Sequence, residues 1–451
     1  MSTATNAPTA GAAEPPTRSQ LRTVILAASF GNLVEWFDFT TYGLLAMTIA
    51  AHFFTASGTG GGGTALLLAF ATFGAGFVAR PLGGILIGLF GDRKGRKPAL
   101  LLSITLMGAS TAVVAILPDQ KTIGLAAPIL LVLARLVQGA AAGGEWGGAA
   151  SFLVEWAPNQ RRGLFGSFHT ATIFVGTLVG SLVIAGLTAL LREDVMDDWG
   201  WRIPFAIGGL LALIAIPVRL KAEETPIFRD EVESAAKKPV PDVVDGGTMT
   251  RGGLVKRLAF IFCLVGMQSA AVYTFTSYFP SFVQQYTKDG AEKVGSGAAL
   301  FSNALASVVV IVVVIASGRI SDRIGRKPAM VLSCLLVLVL PYPLISLAVA
   351  ADSLALTVLV QSVLAASVAL FLGCLPVVLV ESIPARVRVA GLSTSYNIAS
   401  AVFGGFAPLI AGGLVAATGA PPTAALWTVF AAAISTVAVF FFKESRGNPL
   451  S

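Results

Sequence analysis

Charge is what this chain has least of. Asp, Glu, Lys and Arg make up 12% of its 451 residues, about half the share found in a soluble domain. Histidine occurs only twice, and the three cysteines, Cys263, Cys334 and Cys374, lie in apolar segments without metal-ligand spacing. That excludes a metal centre and a disulfide framework, and leaves the thiols as packing residues. The glycine run GTGGGG at 58–63 lacks the Lys-Ser/Thr that a phosphate-binding loop needs, so it reads as a connector. No nucleophile–base signature is present, so no catalytic residue and no metal ligand is assigned.

Apolar sequence fills the space. The chain is 55% hydrophobic with a mean hydropathy of +0.80, and stretches long enough to cross a hydrocarbon core of about 30 Å recur from end to end. Twelve spans are expected: 22–51, 65–90, 99–117, 126–153, 163–191, 201–220, 257–286, 297–318, 328–349, 354–380, 389–417 and 423–442. The first apolar run is too long for a signal-peptide core and is kept as span 1. With the N-terminus in the cytoplasm, the outer loops hold only Lys121, Arg192, Arg202, Lys288 and Lys293 of the 31 basic residues, Arg80 and Arg135 lying inside spans. Basic loops stay on the cytoplasmic side, so both termini are expected there, in the plasma (cytoplasmic) membrane. The net charge of +7 is then a topology signal, and no nucleic-acid partner is expected.

The chain repeats itself. GDRKGRKPALLLS (91–103) returns as SDRIGRKPAMVLS (321–333), and LVEWAPNQRRG (153–163) returns as LVESIPARVRVAG (379–391). Two unrelated motifs recurring at nearly one spacing imply two parallel six-span halves, an architecture that places a substrate at their interface near the midplane. The expected organisation is a cytoplasmic tail (1–21), a first bundle (22–220), a central loop (221–256), a second bundle (257–442) and a short tail (443–451). Gly95 and Gly325 permit the tight turn of the repeated loop, and Asp92 and Asp322 can accept from backbone amides at a helix N-terminus.

The repeated loop resembles the span 2–3 signature of the major facilitator superfamily, and RLVQGAAAG (135–143) resembles its fourth-span signature. GNLVEWFDF, RPLGG, GGEWGG and WGWRIPF together resemble the metabolite:proton symporter family within it, which includes carriers for α-ketoglutarate, shikimate, citrate and proline/betaine. The resemblance implies an all-α twelve-helix fold and a charge latch that shuts the cytoplasmic side. Its members here are Asp92, Arg93, Arg96, Glu155 and Arg162, with Asp322, Arg323, Arg326, Glu381 and Arg388 in the second half.

Five ionisable residues lie well inside spans: Glu35, Asp38, Arg80, Arg135 and Glu145. Each costs about 2.5–3.5 kcal/mol at a helix centre on the insertion scale, so they must be paired or face water. Glu35, Asp38 and Tyr42 share one stripe of span 1, and Arg80 on span 2 sits near the same depth, which predicts a Glu35/Asp38–Arg80 cluster. Arg135 and Glu145 lie about 15 Å apart along span 4 and extend the relay. Gly139, Gly143 and Gly147 on the same span allow a neighbour close. Acids outnumber arginines here, so at least one carboxyl is free to exchange a proton.

The second half keeps the repeat but has almost no intramembrane charge. Shifted by the repeat, Asp38 falls on Gln268, Arg80 on Val310, Arg135 on Gln361 and Glu145 on Phe371. Proton chemistry is therefore expected in the first half. Substrate contacts are expected from Tyr42, Gln138, Trp146, Gln268, Tyr273, Tyr278, Gln361, Tyr396 and Asn397. His169 reads as a packed side chain, with a proton relay as the alternative.

The resulting expectation is a secondary transporter that imports a small mono- or dicarboxylate, α-ketoglutarate-like, by proton symport and alternating access. It would use the proton gradient and no cofactor, with the small-molecule substrate, the proton and the lipid bilayer as its partners. Proton symport of betaine or proline is the alternative, followed by drug efflux and a non-transporting receptor. A monomer is the default for this architecture.

Overall fold

The computed structural model describes residues 18–54, 62–94, 96–143, 145–155, 157–221, 251–383 and 388–447. The glycine connector, Gly95 and most of the central loop lie outside them, as do the side chains of Asp92, Arg93, Arg96, Glu145, Glu155 and Arg388.

A backbone in hydrocarbon must satisfy its own hydrogen bonds, and helices do so within one segment. The first half contains α1 (Arg18–Leu44, continued by Ala46–Phe53), α2 (Gly62–Lys94), α3 (Arg96–Ile116), α4 (Ala126–Ala142 and Glu145–Glu155), α5 (Arg162–Leu190) and α6 (Arg202–Lys221). In the second, α7 runs through Arg251–Val272, Tyr273–Tyr278 and Phe279–Tyr286, and α8 is Ser296–Ile324. There follow α9 (Arg326–Val339 and Pro341–Ala350), α10 (Leu354–Ser382), α11 (Arg388–Ala399, Ser400–Gly405 and Ala407–Thr418) and α12 (Leu426–Phe441). Among the described residues seven helices qualify as spans alone, and nine when Glu193–Gly200 with α6, and the two parts of α9, are each taken as one bent span. With α1, α3 and α4 the fold has twelve.

Breaks fall where the chemistry predicts. Pro341 cannot continue the α9 ladder, and the helix bends by 46° there. The middle turns of α7 and α11, Tyr273–Tyr278 and Ser400–Gly405, are widened π-type turns, a local form frequent at functional sites. Large apolar side chains such as Leu82, Ile116 and Phe441 stay exposed, as helix faces turned to lipid would.

In the first half α2 packs on α4, α3 on α6, and α5 and α6 on α1; in the second α8 packs on α10, and α7 and α9 on α12. The tightest pairing is α2 with α4. A Cβ at Gly139 would lie 1.7 Å from the Gly76 carbonyl oxygen, so only glycine permits this approach. Gly139→Ala is expected to force the helices apart, where overpacking costs about 1–3 kcal/mol or more, and to lower the melting temperature in detergent. Gly186→Ala, with nothing within 4 Å of the added carbon, should melt like the parent; equal behaviour of the two would contradict the packing assigned to Gly139.

The halves meet along α5–α8, α5–α10 and α2–α11. At one end, called the loop end because the repeated loop lies there, Asp322 of α8 meets the start of α5. Toward the far end Asn303 of α8 donates to Ser181 of α5 at 3.1 Å, and Phe70 of α2 packs edge-on against Tyr278 of α7 at 5.5 Å. At that far end Trp201 is fully buried against Phe53 and His52, and Arg202 reaches back to the Leu117 carbonyl at 3.2 Å. The Thr122 hydroxyl and amide donate to Asp119 and hold its carboxyl below the usual carboxylate range.

Candidate functional site

The four described intramembrane charges form two ion pairs, not one cluster. Glu35 and Asp38 are three residues apart on α1, so their side chains leave the helix about 60° apart. Glu35 turns to α2, where Arg80 Nη2 donates to its Oε1 at 2.8 Å. Asp38 turns to α3 and α4 instead. There Arg135 Nη1 donates to Oδ2 at 3.2 Å, and Thr111 Oγ1 and Gln138 Nε2 donate to Oδ1 at 2.7 and 3.1 Å. The expected Asp38–Arg80 partnership is thus corrected: the cation of Asp38 is Arg135. Glu145 begins the second part of α4; its side chain lies outside the described residues.

Both pairs are dry. Arg135 is 0% and Asp38 1% exposed, so each charge depends on its partner and its hydrogen bonds. Arg135 also donates to Gln138 Oε1 at 2.7 Å, while its Nε and Nη2 have no hydrogen-bond partner among the described residues. Aromatic rings cover that guanidinium, with Tyr42 at 4.4 Å and Phe39 at 4.7 Å from its central carbon. Arg80 is held by Phe77 and Phe39 at 4.4 and 4.5 Å. Such contacts are worth about 2 kcal/mol or more when desolvated, and they fix the two guanidinium groups beside Phe39.

A small cavity lies between the halves, lined on the α1 side by Trp36, the chain neighbour of Glu35. Trp36, Trp146, Thr170, Gln268, Pro376 and Tyr396 are among its lining residues. Its volume of about 20 Å³ is room for one water. Two stacked pairs, each with one ring from each half, wall this region: Trp146 on Tyr396 at 3.9 Å and Trp36 on Tyr273 at 5.7 Å. Gln268 donates to Ser269 at 2.7 Å and to the Tyr396 hydroxyl at 3.4 Å.

Of the nine residues expected to contact substrate, Trp146, Gln268 and Tyr396 meet at this cavity, and Tyr273 backs Trp36. The others point elsewhere. Tyr42 donates to the Ala69 carbonyl, Gln138 serves Asp38, and Tyr278 packs on Phe70 and Phe282. Gln361 accepts from Ser302 and donates to Asn303 and the Phe275 carbonyl. Asn397 donates to the Gly143 carbonyl across the halves. Trp36, Phe39 and Phe77 carried no sequence signal beyond their places on charged helices, and Thr111, on the apolar α3, carried none. His169 is buried against Trp146, and neither ring nitrogen has a hydrogen-bond partner among the described residues.

At the loop end a second charge cluster bridges the halves. Asp322 of α8 accepts from the Gly163 and Leu164 amides of α5 at 2.8 and 2.9 Å, capping a helix of the other half, and from Arg326 at 3.0 Å. Glu381 lies 3.5 Å from Arg326 and 4.0 Å from Arg162. Arg323 faces outward and is exposed. Gly325 turns the loop at φ 103°. The chain's end joins the cluster unannounced by the repeat: Glu444 accepts from the Arg326 and Lys327 amides at 3.1 and 3.0 Å, and Ser445 donates to Glu381 at 2.5 Å.

Cys374 of α10 is buried with its Sγ 3.6 Å from Ser317, which lies five residues before Asp322 on α8, and it can be used to follow opening there. Hydrogen bonds to a charged group contribute about 1.5–3 kcal/mol each. Asp322→Ala should therefore raise maleimide labelling of Cys374 about tenfold or more, the factor that 1.4 kcal/mol gives, in a chain with Cys263 and Cys334 replaced by alanine. Unchanged labelling would leave Asp322 without a closing role.

Residues 28–404 match the Major Facilitator Superfamily. A citrate-proton symporter of Klebsiella pneumoniae is 32% identical over 93% of this chain and 92% of its own length. An α-ketoglutarate permease of Escherichia coli K12 is 34% identical over 94% and 95%, and a proline/betaine transporter of the same strain is 30% identical over 96% and 85%. Among solved structures, a D-xylose-proton symporter superposes with a TM-score of 0.74 at 19% identity, covering 96% of this chain and all of that one, which shows the shared fold. The chain is a multi-pass membrane transporter that belongs to the Major Facilitator Superfamily and, within it, to the metabolite:proton symporter family.

Proposed function

We propose that this protein imports a small carboxylate-bearing metabolite by proton symport, with the α-ketoglutarate-like acids as lead substrates and betaine- or proline-like zwitterions as the alternative. The observation that carries the reading is the pairing of two buried carboxylates with two arginines in one half, with a cavity between the halves whose lining is uncharged among the described residues. Protonation of Glu35 releases Arg80, whose Nε has no partner among the described residues, to hold a substrate carboxylate through its donor fork. Protonation of Asp38 loosens Arg135 and thereby the α1–α3–α4 contact. Proton and substrate thus neutralise the same charges, and the carrier rocks only when both or neither are bound.

In this reading the loop end and both termini face the cytoplasm, and the Asp322–Glu381 cluster is the cytoplasmic latch. Reconstituted protein with inner and outer pH set independently tests it, using α-ketoglutarate, citrate, proline and betaine. Uphill accumulation of at least one of them only when the outside is more acidic, lost with a protonophore, is expected. Accumulation that ignores the pH gradient would contradict proton coupling.

A further inference from the structure

Amide side chains inside a membrane bundle need partners that hydrocarbon does not supply. Gln361 of α10 and Asn303 of α8 are both fully buried, and each is bonded at its oxygen and at its nitrogen. Gln361 Nε2 donates to Asn303 Oδ1 at 2.9 Å and to the Phe275 carbonyl of α7 at 3.0 Å, while its Oε1 accepts from Ser302. Asn303 Nδ2 donates across the halves to Ser181 of α5 at 3.1 Å, and the Ser181 hydroxyl donates on to the Thr177 carbonyl at 3.0 Å. One chain of hydrogen bonds thus runs from α7 through α10 and α8 to α5.

What lies at its two ends gives it a purpose. Phe275 belongs to the widened turn Tyr273–Tyr278, and that turn packs on the first half along its length. Tyr273 stacks on Trp36, which lines the cavity, and Tyr278 packs on Phe70. Between them Ser277 sits so close to α1 that a Cβ at Gly43 would come within 2.9 Å of its Cβ. At the other end, the Asn303–Ser181 bond lies on the same α5–α8 seam as the bonds from Gly163 and Leu164 to Asp322. Asn303 and Asp322 are nineteen residues apart, about 28 Å along the helix. The seam is therefore fastened twice, by a carboxylate at the loop end and by an amide toward the far end.

We infer that Asn303 is the far-end counterpart of Asp322, and that Gln361 is the positioning residue that ties it to the widened turn of α7. On the transport reading, cargo entering beside Trp36 moves Tyr273, the turn carries the Phe275 carbonyl with it, and Gln361 passes the shift to the seam. Closure of the far end then follows occupancy of the cavity.

Maleimide labelling of reconstituted protein, with neither cargo nor a proton gradient present, tests this. Two chains report on the two ends. One carries Ser307→Cys, a buried position one turn from Asn303 on the same face of α8, with the three native cysteines replaced by alanine. The other keeps only Cys374, near the loop end. Ser181→Ala, Asn303→Ala and Gln361→Leu should each raise labelling at position 307 about threefold or more, the ratio that an average side-chain hydrogen bond between membrane helices gives. Labelling of Cys374 should not rise. Gln361 and Ser181 are joined through Asn303 rather than to each other, so Gln361→Leu and Ser181→Ala combined should give no more than the larger single rise, whereas independent effects would multiply. Ser181→Ala removes a single hydroxyl and keeps the test available where an amide variant fails to fold.

Unchanged labelling at position 307 would overturn the inference and leave proton symport standing, since the assay involves neither proton nor cargo movement. Equal rises at both reporters would mean general loosening and would overturn it as well. Multiplied rises in the combined variant would overturn the positioning role of Gln361.

Discussion

Asp38→Asn is expected to yield a protein that melts at lower temperature and no longer accumulates substrate against its gradient. The asparagine oxygen can still accept from Thr111 and Gln138, which now serve Asp38 Oδ1. It cannot neutralise Arg135, which is fully buried. Removing one member of a buried ion pair costs about 3–5 kcal/mol because the other charge is left uncompensated. That is a large part of the 5–15 kcal/mol, roughly, that keeps a domain folded. Asp38→Asn combined with Arg135→Gln removes both charges and should recover most of the stability. The double variant should still fail to accumulate, since neither side chain exchanges a proton. If it accumulates normally, the pair only pins α1 to α4.

Glu35→Gln should behave differently. The amide oxygen can keep the Arg80 hydrogen bond, and the Arg80 guanidinium retains its contacts with Phe39 and Phe77. Arg80 is nevertheless buried and loses its counter-charge, so stability should fall here as well. Accumulation should fall to equilibrium, while exchange at equal inner and outer pH survives, because the variant resembles the protonated carrier permanently. The sign with pH follows. In the parent protein, raising the outer pH removes the proton that releases Arg80, so uptake falls; in Glu35→Gln, exchange should be flat across the same range. Retained pH dependence would move the coupling proton to another group.

Much of this architecture is legible in the chain because hydrocarbon leaves few alternatives. Long apolar runs must be helices, the two repeated motifs reveal the halves, and the five embedded charges mark the first half as special. Gly139 also announced a close helix contact, and Gly325 its turn. What could not be read is which acid meets which arginine. Glu35 and Asp38 occupy one stripe by helical spacing, yet the angle between them sends them to different neighbours, and that depends on where α2, α3 and α4 stand around α1. Thr111 gave no warning, being one hydroxyl in an apolar span whose importance comes only from its 2.7 Å contact with Asp38.

The same limit explains the polar residues of the second half. Gln268 and Gln361 are equivalent in type and in their place opposite first-half charges. Only packing separates them: Gln268 reaches the cavity, whereas Gln361 is consumed by Ser302, Asn303 and the Phe275 carbonyl. Glu444 and Ser445 belong to no repeat, so their place in the loop-end cluster came from the fold alone.

Proton movement that accompanies substrate tests the central claim most directly. Liposomes containing the protein are prepared with equal pH inside and outside in weak buffer, and a carboxylate that exchanges in counterflow is added outside while the external pH is recorded. Symport predicts a transient alkalinisation of the medium, abolished by Glu35→Gln although exchange persists. Substrate entry with no change in external pH would contradict proton symport and the role given to the buried carboxylates.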